Sequence, residues 1–70
     1  MKLNKEATKY QIAKNKKSVA VICKETGLSR SAVSKAINGL TSPHFTTLGL
    51  IAEAIGVELS DILAKEKWNG

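Results

Sequence analysis

Apolar residues recur along this chain at helical spacing, and nowhere do they alternate with the period of two expected of a strand. The cleanest stripe is Leu48, Ile51, Ala52 and Ile55, at i, i+3, i+4 and i+7. It predicts a core-facing helix over residues 47–55, with Thr46 as its cap and Gly56 as its stop. Upstream, Val33, Ala36 and Ile37 form a narrower stripe on a helix over 30–38, opened by Ser29 and ended by Gly39. Ile22 and Cys23, aided by Val19, mark an earlier helix over 19–26 behind Ser18. A first helix over 5–15 follows Asn4, with Leu3, Ala7, Tyr10 and Ala13 on one side and lysines on the other. Ser60-Asp61 opens a fifth helix reaching about Glu66 and burying Leu59, Ile62 or Leu63, its first-turn acid suiting the positive end of the helix dipole. The predicted fold class is all-α, a compact five-helix bundle.

Thr26-Gly27-Leu28-Ser29 separates the second helix from the third. Gly27 supplies the permissive backbone for a sharp turn, and Leu28 plugs that turn into the core. Two helices joined by a glycine-containing turn of three or four residues form a helix-turn-helix, whose second helix fits the major groove of DNA. On that second helix Arg30, Ser31, Ser34, Lys35 and Asn38 fall off the apolar stripe and carry donors for bases and phosphates.

Charge sharpens this picture. The net charge is +5, yet residues 1–35 hold nine basic side chains against two acids, while residues 36–70 hold two against four. Such a split suits one face for a polyanion and another for a different partner, although a lysine-rich surface also serves solubility. Seventy residues make one domain, with its helix-turn-helix core over about 18–39. The lone Cys23 excludes an internal disulfide and suits a reducing cytoplasm. There is no long apolar run or signal-peptide layout, so a cytoplasmic protein is expected. One histidine, one cysteine and scattered acids offer neither paired carboxylates nor a zinc ligand set, so no enzyme, metal or cofactor is expected.

From about Ser18 to Leu63 the chain resembles the Cro/cI repressor-like helix-turn-helix family, also called XRE. The resemblance is carried by Ile22-Cys23, Gly27, Leu28-Ser29-Arg30, Val33-Ser34, Ile37-Asn38-Gly39, and Pro43…Leu48…Ile51-Ala52…Ile55-Gly56-Val57. Short antitoxin-type members also look similar around Gly27–Arg30 and Pro43–Leu48. The family implies a lambda-repressor-like fold and a transcriptional regulator, usually a repressor, from a phage, plasmid or mobile element. It places Arg30 and Ser31 at the floor of the major groove, with Ser34 and Lys35 one turn further along. Arg30 is the first choice for sequence readout, because a guanidinium bonds guanine O6 and N7 together. Ala32 either touches a thymine methyl or is a plain helix former.

Phosphate contacts are expected from Lys17, from the amides at Ser18 and Val19, from Asn38, from the loop residues Thr41, Ser42 and His44, and from the cap at Thr46. Many members begin the second helix with a glutamine that clamps a phosphate. Val19 stands there instead, so that contact is either lost or taken over by Ser18 and Lys17.

Leu50 lies off the fourth stripe beside Ala54, and Trp68 has no evident core position. These three predict a homodimer interface, at least on DNA, with half-sites about 34–36 Å apart on a palindromic operator. The tail over 66–70 reads as frayed unless a partner orders it. The alternative is a protein-interaction module on the same fold, such as an antitoxin or a partner-dependent regulator, which the acidic second half favours.

Overall fold

Among the described residues, four α-helices follow from these caps and stripes: α1 (Lys5–Lys14), α2 (Val19–Thr26), α3 (Arg30–Ile37) and α4 (Phe45–Ile55), then a single 3-10 turn at Leu59–Asp61. The structure, a computed structural model, describes residues 1–64. The first three helices begin at the caps read from sequence. Asn4 Oδ1 accepts from the Ala7 N–H (2.8 Å), Ser18 Oγ from Val21 (3.2 Å) and Ser29 Oγ from Ala32 (3.1 Å). Each satisfies a donor that the helix leaves orphaned, worth about 1 kcal/mol.

The helices converge on Ile22, Val33, Leu48, Ile51, Ile55 and Ile62, all fully buried. Full burial of such a side chain contributes about 1.5–3 kcal/mol. Both α3 and α4 pack on α2, and the turn at Gly27–Ser29 joins α2 to α3. Leu28 is half-buried against this core. At the far end of α3, Gly39 has a left-handed backbone (φ 70), and a Cβ there would sit 3.2 Å from the Leu3 carbonyl oxygen. Any side chain there would be strained by the torsion and would have to press the Leu3 carbonyl back by a few tenths of an ångström.

Four expectations are corrected. The fifth helix is one 3-10 turn: Ile62 is buried as foreseen, but Leu63, whose N–H still donates to Leu59 O (3.1 Å), then forms an isolated antiparallel bridge with Leu3 and the helix goes no further. Asn4 N–H donates to Ile62 O (2.7 Å) and Ala64 N–H to Lys2 O (2.9 Å), so pairing with the N-terminal segment replaces further helix there. Second, α1 is rotated from its expected register. Tyr10 (62% exposed) and Ala13 face outward, while Thr8 is buried and Ile12 packs on the core. A buried threonine is tolerated because its hydroxyl donates to Asn4 O (2.6 Å), with Ile62 O at 3.5 Å.

Third, α4 starts at Phe45, with His44 as a backbone cap and Thr46 already in the first turn. Proline disfavours helix only for the residue before it, and Ser42 is that residue. The ladder therefore begins at once, with Leu48 N–H on His44 O (3.0 Å). Fourth, Ala54 is spent almost wholly in the protein's own core, at 4% exposure, and only its edge borders the Leu50 notch. Trp68 and the tail at 66–70 lie outside the described residues.

The end of α1 departs from the glycine rule. Lys16 takes a left-handed φ of 55, and the turn closes through Lys16 N–H to Ala13 O and Lys17 N–H to Ile12 O. That torsion costs a non-glycine residue about 1–2 kcal/mol, while glycine gives up about 0.5–1 kcal/mol of chain entropy. Lys16→Gly is therefore expected to stabilise the fold by about 0.5–1 kcal/mol. Urea denaturation checks it, and a loss of stability would contradict the torsion. Asn15, the α1 cap, ties the end of α1 to the end of α4, its Nδ2 donating to Ile55 O (3.0 Å).

Candidate nucleic-acid interface

The short stripe of α3 leaves most of that helix bare. Val33, Ala36 and Ile37 are buried, whereas Arg30, Ser31, Ala32, Ser34 and Lys35 are all exposed. Helical spacing sorts the polar residues into two neighbouring rows, Arg30 with Ser34 and Ser31 with Lys35. The second row faces a cleft whose opposite wall is the loop Thr41-Ser42-Pro43 and Thr47 of α4. Two residues expected at bases and two expected at phosphates thus share one surface. Arg30 and Ser34 lie on the same exposed helix but outside the cleft lining.

The head of α4 adjoins this cleft. Among the described residues it is the one α-helix start without a side-chain cap, so the Phe45, Thr46 and Thr47 amides have no intrahelical acceptor. A helix start of this kind attracts anions. Thr46 therefore enters as a first-turn residue and not as the cap. His44 is exposed at the helix start, and Phe45 beside it is 60% exposed. Phe45 and Pro43 stand here without having been expected at the site: Pro43 carries part of the family resemblance, but no apolar stripe places it opposite α3.

Lys17, Ser18 and Val19 are not among the residues lining the cleft; Val19 begins α2, Ser18 caps it and Lys17 precedes the cap. Ser18 Oγ is occupied by the Val21 amide, which leaves the Val19 and Ala20 amides as the open donors there. Asn38 is half-buried and turned back on its helix, its Nδ2 donating to Ser34 O (2.9 Å). Apart from the cleft lining, Leu50 (42% exposed) shares a small notch with Glu25, Glu53 and Ala54. No helix among the described residues is long and apolar enough to cross a membrane.

A capped α3 held across α2 by a glycine turn, with a bare polar face, defines a DNA-binding helix-turn-helix protein of the transcription-regulator class. A family model described as helix-turn-helix matches residues 9–62. The chain belongs to that family, in its Cro/cI repressor-like (XRE) branch. No curated protein and no solved structure matches it.

Proposed function

We propose that this protein is a sequence-specific regulator of transcription that reads double-stranded DNA in the major groove with α3, and that it acts as a repressor in the cytoplasm. The observation that carries this is the arrangement of α3 itself: every polar side chain that could reach a base is exposed, and the cleft sets Ser31 and Lys35 beside the Thr41-Ser42 loop. Arg30, Ser31, Ser34 and Lys35 read base edges. Lys17, the α2 amides at Ser18 and Val19, Asn38, the loop residues Thr41, Ser42 and His44, and the α4 start at Thr46 hold phosphates.

In-vitro selection from a random duplex pool, followed by anisotropy titration at several salt concentrations, tests this. A palindromic winner bound far more tightly than random DNA is the expected result; no enrichment, even at low salt, would defeat the reading. Arg30→Ala is expected to cost about 1–3 kcal/mol on the selected site and to relax one base position. Equal loss on random DNA would remove Arg30 from base readout. Lys17→Ala should instead weaken all sequences alike and lower the salt slope by about 1. A loss confined to the selected site would place Lys17 at a base.

The repressor binds as a homodimer on its operator, with Leu50 at the contact and Trp68 contributing from the tail. Sedimentation with and without the selected duplex measures it, and one protomer per duplex would refute it. The same notch favours a second reading, an antitoxin-like module for a protein partner. A two-fold contact at Leu50 would bring Glu25 and Glu53 of both copies together, whereas a basic partner would neutralise them.

A further inference from the structure

The donor inventory of α3 reaches further than the choice of groove. Residues 30–38 carry two cations, Arg30 and Lys35, three hydroxyl or amide side chains and no carboxylate. An adenine is read best by an amide that donates to N7 and accepts from N6 together, and a guanine by a cation that donates to O6 and N7. The one amide on this stretch is Asn38. Its Nδ2 donates to Ser34 O (2.9 Å) and lies 3.5 Å from Ser34 Oγ, so the amide is turned back along its own helix and keeps one N–H for a single phosphate oxygen. Residues 39–47, the loop and start of α4 that adjoin α3, contain no asparagine or glutamine. The missing carboxylate likewise removes the strongest acceptor for cytosine N4.

The two cations are exposed and sit five residues apart, about 7.5 Å along the helix axis. One base-pair step is about 3.4 Å. They also lie on different rows, with Lys35 lining the cleft beside the phosphate-binding loop and Arg30 outside it. One guanine could not serve both.

We infer that each half-site is read through two guanines at separate base pairs, one by Arg30 and one by Lys35, and that no adenine is read by a bidentate amide. Ser31 and Ser34, one per row, add single hydrogen bonds that tolerate either partner. This rests on the reading of α3 as the major-groove helix and names the bases that helix selects.

The test is an atom-by-atom scan of the selected duplex with the full chain. Each guanine in turn is replaced by 7-deazaguanine, which keeps pairing and O6 but removes N7, and each adenine by 7-deazaadenine. Binding is followed by anisotropy for the unaltered protein and for Arg30→Ala and Lys35→Ala, both exposed positions whose loss leaves the core intact. Two guanines per half-site should each weaken binding by about fivefold or more. One penalty should vanish in Arg30→Ala and the other in Lys35→Ala. Selective binding that survives 7-deazaguanine everywhere, or that responds only to 7-deazaadenine, overturns the guanine assignment while leaving DNA reading in place. Penalties that persist unchanged in either variant overturn the residue assignment. Failure to enrich any duplex would show at the earlier selection and would remove both.

Discussion

Val33→Asp is expected to leave the chain unfolded, with loss of the helical circular dichroism signal at room temperature. Val33 is fully buried on the inner face of α3. That face consists of Val33, Ala36 and Ile37, so α3 has no second stripe on which to settle if one member turns polar. A carboxylate there would lose its hydration and find no cation, and every buried side-chain polar atom among the described residues already has its partner. Penalties of this kind exceed about 4 kcal/mol, against a total stability of about 5–15 kcal/mol for ordinary domains. A folded and soluble Val33→Asp protein would mean that α3 presents a different face, and the exposure of Arg30 and Lys35 would fall with it.

Leu3→Ala is expected to be the next most damaging of these substitutions, although it lies outside every helix. Its side chain is 2% exposed, and its backbone bridges to Leu63 at the other end of the described chain. Truncating a buried leucine to alanine costs about 2–5 kcal/mol. The Leu3 carbonyl also lies beneath Gly39, so the loss would loosen the end of α3 as well as the tie between the chain ends. Urea midpoints measure the effect, with Met1→Ala as control, because Met1 is 45% exposed. Should Leu3→Ala change stability no more than Met1→Ala, the bridge would not hold in solution.

The elements whose signals are local were legible in the chain. Ser18 and Ser29 cap the helices they were expected to cap, because an N-cap needs only its own amide three residues on. The stripe Leu48-Ile51-Ala52-Ile55 is buried throughout, since four apolar positions on one face leave a helix one orientation. The exposed set on α3 followed from the same argument. α1 was misread because the weak spacing Ala7-Tyr10-Ala13 competes with Thr8 and Ile12, and the choice is made by distant contacts: the core that receives Thr8 and Ile12, and Ile55 O, which accepts from Asn15. Ala54 was misjudged for a related reason. A position at the edge of a stripe is buried or bare according to how closely the neighbouring helix approaches, and α2 packs against α4 here.

By itself, then, the sequence determined the helical class, the helix-turn-helix and the identity of the side chains presented by α3, because caps, period and turn glycine act over three or four residues. Only the tertiary structure decided the rotation of α1, the pairing of Leu3 with Leu63 and the meeting of Lys35 with the Thr41-Ser42 loop. Each of these depends on hydrogen bonds or packing between residues far apart in the chain, which no local pattern encodes.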